Sequence, residues 1–167
     1  MTRSALVRAS VGVVLLLAGA MAWWSRVTPD ERAINARLEA LRNEVNSSTK
    51  DGLGTAARAA QIGTYFTDDA VVELGRGSPP ISGRDTLMGM VARLQPRTAA
   101  FRMDLDDVSV EVLPGGAAAD VLLTASFVRR SITTGEESLD AREYALVMTK
   151  AGGLWRIARI TAIDTLR

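Results

Sequence analysis

The side chains in this sequence that are suited to chemistry are mainly carboxylates, because the chain contains no histidine and no cysteine. Without imidazole or thiol, nucleophile systems of the Ser-His-Asp and Cys-His kinds are excluded in their usual form. Ordinary zinc, haem and copper sites need imidazole or thiolate ligands and are excluded as well. We therefore expect no metal and no cofactor.

Two acidic clusters are the most conspicuous candidates for a site. Asp104, Asp106 and Asp107 lie in a strand-like segment, where Asp104 and Asp106 share a face. Neither a tight glycine turn nor a glutamate at calcium-loop spacing accompanies them, so we interpret them as a solvated face. Asp68 and Asp69 are adjacent, so their side chains diverge, and aspartate is favoured in turns. We interpret this pair as turn formers.

The elements that position these residues begin with three predicted helices. Thr28 and Glu31 form a capping box around Pro29, which predicts a helix start. A second, alanine-rich helix is predicted over residues 53–66, and a third begins at residues 83–85 and is stopped by Pro96. The first helix is amphipathic, with one apolar stripe at helical spacing: Ile34, Leu38, Leu41 and Val45.

Strand patterns dominate the rest of the chain. A short strand is predicted over residues 70–74, and long ones over residues 99–113, 117–130, 139–150 and 154–166. Glycine-rich turns at residues 114–116 and 152–153 connect them as hairpins. In the last strand, Trp155, Ile157, Thr161 and Ile163 fall on one face by alternation. The order of elements predicts an α+β domain, with the helices on one face of a mainly antiparallel sheet.

The N-terminal segment predicts a membrane anchor. Residues 9–25 carry no charge, with Arg3 and Arg8 before them and Arg26 after them. Seventeen residues are at the short limit for a spanning helix, and snorkelling of Arg8 extends the apolar stretch to about 20. The paired indoles suit the headgroup level at the outer end of the span. The residues that define this anchor are Ala9, Leu15, Leu16, Leu17, Trp23 and Trp24.

The basic residues before the apolar run predict an N-terminus in the cytoplasm and a body outside it. A bias of arginine over lysine is typical of GC-rich bacterial genomes, so we expect a single-pass protein of a bacterial inner membrane, facing the periplasm. The alternative is a cleaved signal peptide, since Ala18, Gly19 and Ala20 fit a small-x-small cleavage site. Cleavage there would leave a secreted body.

The body that follows the anchor is one domain by length. We divide the chain into an anchor or signal segment, residues 1–26, and a domain, residues 27–167. Without the three arginines of the leader, the body carries 17 basic and 19 acidic residues. It has no basic footprint, so we expect no nucleic-acid partner.

Three motifs resemble one known superfamily. Residues 65–71 read Tyr-Phe-Thr-Asp-Asp-Ala-Val, residues 80–85 read Pro-Ile-Ser-Gly-Arg-Asp, and residues 152–157 read Gly-Gly-Leu-Trp-Arg-Ile. Their order and spacing resemble the nuclear transport factor 2-like, or SnoaL-like, superfamily over roughly residues 30–167. The resemblance implies a cone of about three helices on a curved sheet, a pocket open at one end, and frequent dimers through the sheet.

The same resemblance implies no single function. The superfamily includes ketosteroid isomerases, polyketide cyclases, dehydratases, and non-enzymatic scaffold and transport proteins, so function has to be argued from the site. Its isomerases and cyclases use a carboxylate in an apolar pocket as general base. Asp164, which shares a strand face with Ala158, Ile160 and Ala162, is the carboxylate that matches this role, with Tyr65 or Tyr144 as hydrogen-bond donor.

The pocket candidates also have structural interpretations, which we favour. These take Asp164 as solvated or paired with arginine, Tyr65 as a half-buried structural residue, and Tyr144 as a cross-strand packing residue. Phe66 and Trp155 are expected in the core. The full set of pocket candidates is Tyr65, Phe66, Tyr144, Trp155 and Asp164.

The leading hypothesis is a membrane-anchored, non-catalytic module that binds a partner protein or an apolar small ligand. It rests on the absence of histidine, the lack of a convincing acid and base pair, and the predicted anchor. The alternative is an isomerase-like or cyclase-like enzyme that uses Asp164 on a hydrophobic substrate. A third hypothesis is an assembly module, which forms homodimers or joins a membrane complex through its sheet.

Overall fold

Three helices and six strands make up the domain, and the computed structural model describes residues 28–47, 52–75, 77–94, 98–131 and 136–163. The helices are α1 (Pro29–Asn46), α2 (Gly52–Gly63) and α3 (Arg84–Leu94). This arrangement confirms the predicted α+β class. The strands are β1 (Phe66–Glu73), β2 (Ile81–Ser82), β3 (Thr98–Val112), β4 (Ala118–Ser131), β5 (Glu137–Ala151) and β6 (Leu154–Ala162).

The six strands form one curved sheet in the order β2-β1-β6-β5-β4-β3. β1 lies parallel to β6, and the other neighbouring pairs are antiparallel, so the sheet is mixed and mainly antiparallel. No described helix is both long and apolar enough to cross a membrane. Residues 9–25, the predicted anchor, lie outside the described residues.

One face of the sheet packs on the helices, and we call it the inner face. On β4, alternate residues from Ala119 to Ala125 are buried, whereas Asp120 and Leu122 are exposed on the outer face. The apolar stripe of α1 packs on this inner face, as its spacing predicts. The core joins Ile34, Leu38 and Leu41 of α1 to Val121, Leu123, Leu146, Met148, Trp155 and Ile157 of the sheet.

The second helix is shorter than predicted. It ends at Gly63, and the amides of Thr64 and Tyr65 donate to the carbonyls of Gln61 and Ile62 in a tight turn. The carbonyl of Tyr65 then accepts a hydrogen bond of 2.8 Å from the amide of Ile157. Pairing with β6 therefore takes the chain out of the helix, and Phe66 opens a strand instead of closing the helix.

The paired aspartates Asp68 and Asp69 lie inside β1, so their interpretation as turn formers is wrong. The pairing of β1 with β6 is irregular between Phe66 and Val71, and both carboxylates are exposed there. Five residue steps of β1 lie opposite two of β6 there, so the two aspartates fall where extra residues interrupt the ladder.

A second bulge corrects the predicted alternation of β6. Met148 pairs with Ile157 and Val147 with Arg159, so Ala158 is one residue extra in β6. An extra residue in one strand switches the faces beyond it.

Beyond this bulge, the residues on the inner face are Ile160 and Ala162, not Thr161 and Ile163. Ile160 packs against the core, and Ala162 is buried. The hydroxyl of Thr161 instead donates to Glu73 at 3.1 Å. The apolar face that the sequence predicted for Ile160 and Ala162 is thus confirmed, although Ala158 is the residue at the bulge.

Candidate functional site

The described residues leave one part of the inner face uncovered. Strand β5 has 15 residues, and the seven from Glu137 to Glu143 are all exposed. We call this part of the inner face, formed by residues 101–105, 125–129 and 137–144, the open end. We call the opposite end, formed by the hairpin turns at residues 114–117 and 151–154, the turn end.

Aromatic side chains line the open end. Phe101 and Phe127 lie on adjacent strands, with ring centroids 6.0 Å apart and ring planes tilted by 33°. Phe127 is half-buried and packs against the core, whereas Phe101 is exposed. The pair therefore forms a partly exposed apolar surface.

Tyr144 is the polar group at the inner boundary of this surface. Its cross-strand partners are Leu123 on β4 and Ala162 on β6, both buried. Burial raises the pKa of the phenol, a neighbouring arginine opposes that rise, and a nearby carboxylate adds to it. These two charged groups are Arg142 and Asp140, which form an ion pair of 3.6 Å. The phenol therefore stays neutral and able to donate a hydrogen bond at neutral pH.

The described interior buries one charged side chain, Arg58, which is 8% exposed. Its Nε donates to the carbonyl of Glu44 at 3.1 Å, and its Nη2 donates to the carbonyl of Val45. These are the last carbonyls of α1, so Arg58 caps that helix, and its positive charge offsets the negative end of the helix dipole. Burial lowers the pKa of Arg58, and Glu44 opposes that change. No carboxylate is buried in the part of the chain that the structure describes.

Tyr65 and Phe66 belong to the core, not to the open end. Both side chains are buried. The guanidinium of Arg37 lies 3.9 Å from the centroid of the Tyr65 ring and also donates to the carbonyl of Thr64 at 2.7 Å. Phe66 pairs with Ile157, which is level with Met148 on β5. Tyr144 is four residues away on β5, about 13 Å along the strand, so the two tyrosines do not share a site.

Trp155 is buried, as predicted, and it lies near the turn end. Its Nε1 donates to Oδ1 of Asp30 at 3.3 Å, and Nζ of Lys150 contacts the same oxygen at 2.6 Å. Sequence reasoning did not connect Asp30 or Lys150 with Trp155. The partners are more than 100 residues apart in the chain, and no local pattern connects them.

The acidic cluster on β3 does not form a metal site. Asp104 accepts a hydrogen bond of 2.8 Å from Nε of Arg102 on the same strand. Asp107 is exposed and has a φ of 53° at an irregularity in the pairing with β4. Within the described ranges, no group of three or more acidic residues is arranged to hold a cation.

A groove of about 530 Å³ lies between α2 and α3. The helices approach closely at Gly63, where a Cβ atom would come within 3.2 Å of Cγ of Met88. One end of the groove is polar because Arg84 and Asp85 begin α3, and Arg84 is already paired with Asp68 at 2.5 Å. The remaining lining is mostly small and apolar: Ala56, Ala59, Ala60, Gly63, Thr64, Met88 and Ala92.

The pocket candidates predicted from sequence are therefore divided between three places. Tyr144 is at the open end, Tyr65 and Phe66 are in the core, and Trp155 is near the turn end. Asp164 lies outside the described residues. Phe101, Phe127, Asp140 and Arg142 were missed as a group, because their proximity depends on the register of three strands.

Comparison with known proteins agrees with this architecture. The model of the SnoaL-like domain family matches residues 55–161, and the chain belongs to that family. The superfamily, whose fold is called NTF2-like, includes dehydratases and isomerases. No curated protein matches the chain significantly.

Several solved structures share the fold. A proposed scytalone dehydratase from Novosphingobium aromaticivorans superposes with a TM-score of 0.67 at 13% identity, covering 81% of this chain and 83% of that one. A proposed NTF2-like dehydratase from Streptomyces avermitilis has a TM-score of 0.65 at 15% identity, over 83% and 98% of the chains. A Mycobacterium tuberculosis protein of unknown function has a TM-score of 0.62 at 22% identity, over 84% and 79%.

Proposed function

We propose that this chain is a membrane-anchored, periplasm-facing module that binds an apolar small ligand at its open end and does no chemistry on it. The observation that carries the proposal is the half-buried surface around Phe127 and Tyr144. It combines apolar walls with one neutral hydroxyl donor, which is the usual composition of a small-molecule site.

The charges around this surface support binding over catalysis. A general base for enolate chemistry needs a carboxylate in a dry, apolar place. Among the described residues of the open end, Asp140 is exposed and paired with Arg142. Arg58, the buried charge, is committed to the end of α1. The Tyr144 phenol is present as a donor, but no buried carboxylate among the described residues lies beside it to act as a base.

The test uses the full chain in lipid nanodiscs and 2-tetralone, an apolar bicyclic ketone with one hydrogen-bond acceptor. Saturation-transfer NMR measures binding, with empty nanodiscs as the blank. Phe127→Ala should weaken binding by about tenfold, since a lost aromatic contact is worth roughly 1 kcal/mol or more. Met90→Ala is the matched control, because Met90 is an exposed apolar residue of α3, which packs at the other edge of the sheet. Equal affinity in both variants would overturn the open end as the binding site.

The second candidate function is an isomerase-like or cyclase-like enzyme with Asp164 as base. One observation favours it. Tyr144 pairs with Ala162, which is buried on the inner face, and Asp164 follows two residues later in the sequence. Tyr144 would then be the donor to the developing enolate oxygen.

Exchange of the α-protons of 2-tetralone in deuterated water separates the two functions. Under our proposal, the chain leaves the exchange rate at the value measured with empty nanodiscs. Accelerated exchange that Asp164→Asn abolishes, with 2-tetralone still bound, would instead establish the enzyme.

The outer face supports a further partner proposal, a homodimer through the sheet. Leu122 is 52% exposed there, and its cross-strand partner is Ala145. Exposed apolar surface of this kind favours association. Light scattering on the full chain in detergent should give twice the protomer mass for the wild type. The Leu122→Asp variant should give the mass of one protomer. A wild-type mass of one protomer would contradict the dimer and leave the ligand proposal unaffected.

A further inference from the structure

The first turn of α1 lies directly against the turn end of the sheet. A Cβ atom on Gly116 would come within 3.7 Å of Oδ2 of Asp30. The amide of Lys150 donates to the carbonyl of Ala117 at 2.8 Å, which joins the two hairpins side by side. The start of α1 and both hairpin turns therefore form one surface.

The two hairpin turns of this surface carry no charge. Residues 114–117 read Pro-Gly-Gly-Ala and residues 151–154 read Ala-Gly-Gly-Leu, with no ionisable side chain. Leu154 is 52% exposed. The charges that touch the turns, Asp30 and Lys150, pair with each other at 2.6 Å. A surface with paired charges and an exposed leucine loses little when it approaches a medium of lower polarity.

The connection to the predicted anchor is short. The apolar run ends at Ser25, and α1 begins at Pro29 with Thr28 as its N-cap. The three residue steps from Ser25 to Thr28 span at most about 10 Å when the chain is extended. The N-cap cannot move further than this from the level where the apolar run ends.

We propose that the turn end rests on the membrane interface, with Leu154 and the two glycine-rich turns against the lipid headgroups. This inference rests on the anchor of the proposed function. It fixes the orientation of the domain as well as its location. Leu139, on β5, is 12 residues from Ala151, about 40 Å along the strand. The open end is therefore directed into the aqueous compartment, and a ligand reaches it from water.

The test exploits the absence of cysteine, which allows single labels on the full chain. Leu154→Cys and Leu139→Cys place a bimane fluorophore on an exposed strand leucine at either end of the sheet. The chain is reconstituted in vesicles of phosphatidylcholine and phosphatidylglycerol, with or without a nitroxide on the phosphatidylcholine headgroup. Ala117→Cys gives a second position at the turn end.

The labels at positions 154 and 117 should lose fluorescence by about twofold or more, and the label at 139 should not change, because the headgroup layer is only about 5–8 Å deep on each side. Flotation of the vesicles on a density gradient is measured on the same samples. Chains that float but show equal quenching at 154 and 139 overturn the docking alone. Chains that fail to float overturn the anchor, and with it the docking.

Discussion

At the turn end, the first turn of α1 closes the domain over a buried indole, whereas at the open end the strands continue past the helices. Asp30 holds Lys150 and Trp155 together at the closed end. Around Leu139, which is 71% exposed, residues 137–143 are solvated on both faces of β5. One sheet thus has a packed end and an accessible end.

The difference follows from the lengths of the elements. α1 has 18 residues and is about 27 Å long, while β5 has 15 residues and is about 50 Å long. A single helix packed on this sheet cannot cover it, so part of the inner face stays accessible. The difference in rise per residue between helix and strand is enough to leave this part of the sheet beyond the end of α1.

The two ends of α1 are held by different chemistry. At its N-terminus, Thr28 Oγ1 accepts a hydrogen bond of 3.1 Å from the amide of Glu31 in a capping box. Asp30, in the same turn, contacts Lys150. At its C-terminus, the Asn46 amide both donates to and accepts from the backbone of Met103, each at 2.7 Å. Asn46 thereby pairs with an edge strand, and Arg58 satisfies the last carbonyls.

The largest expected effect tests the packed end against the accessible end with two aromatic truncations. Trp155→Ala should lower the free energy of unfolding by about 3–5 kcal/mol because it leaves a cavity in the core. Phe101→Ala should lower it by less than about 1 kcal/mol. Urea unfolding of the full chain in detergent, followed by far-ultraviolet circular dichroism, measures both. Similar losses would mean that the open end is as tightly packed as the turn end.

The next effect concerns the C-terminus of α1. Arg58→Met should cost about 1–3 kcal/mol, because it leaves the carbonyls of Glu44 and Val45 without their donors. Arg58→Lys keeps the charge but loses the planar guanidinium, so its free energy of unfolding should lie between those of the wild type and Arg58→Met. Arg32→Met, at an exposed position of α1, is the matched control. The same urea experiment applies, and a loss as small as the control's would mean that Arg58 does not hold the helix.

A smaller effect at the turn end depends on pH. The hydrogen bond from Lys150 lowers the pKa of Asp30 below its ordinary 3.8, burial opposes this, and the Trp155 indole adds to the lowering. A lowered pKa in the folded state means that the ionised carboxylate stabilises the fold above pH 3.8. This contribution is lost as the pH falls through the folded-state value.

Asp30→Asn should therefore lower the Tm at pH 7, and its Tm should approach that of the wild type in acid. Thermal unfolding across the pH range measures this convergence. Asp120→Asn, an exposed aspartate on the outer face, is the control and should follow the wild type throughout. A constant difference between Asp30→Asn and the wild type would contradict the ionic contact.

The smallest effect reports on the half-buried phenol. Burial raises the pKa of Tyr144 above 10.0, Arg142 lowers it, and Asp140 raises it. Absorbance titration of the phenols should show a transition above pH 10.0 that disappears in Tyr144→Phe. Because the folded-state pKa is raised, the stability contributed by the neutral phenol is present below pH 10.0 and is lost as the pH rises through the folded-state value. A Tyr144 that titrates at or below 10.0 would mean that the open end reaches further along β5.

Local patterns in the sequence were sufficient for the elements. The capping box at Thr28, the stripe from Ile34 to Val45 and the start of α3 are all confirmed. Each depends on residues within one or two turns of each other, and so does the double-glycine turn at residues 152–153. Gly152 and Gly153 both adopt a positive φ that other residues rarely adopt.

The boundaries and faces that failed depend on a distant strand. Phe66 leaves the helix because Tyr65 is hydrogen-bonded to Ile157, and the face of β6 switches because Ala158 is extra relative to β5. Residue spacing within one strand cannot reveal a bulge, because a bulge depends on which residues of the neighbouring strand lie opposite.

By itself, the sequence determined the order of the elements, the SnoaL-like resemblance and the chemistry that lacks imidazole and thiol. These follow from composition and from contacts between near neighbours. Only the tertiary structure decided which aromatic residues share a surface, that Arg58 caps the end of α1, and that Asp30 joins α1 to the β5–β6 hairpin. The reason is physical: register, bulges and the unequal lengths of helix and strand act between residues that are far apart in the chain.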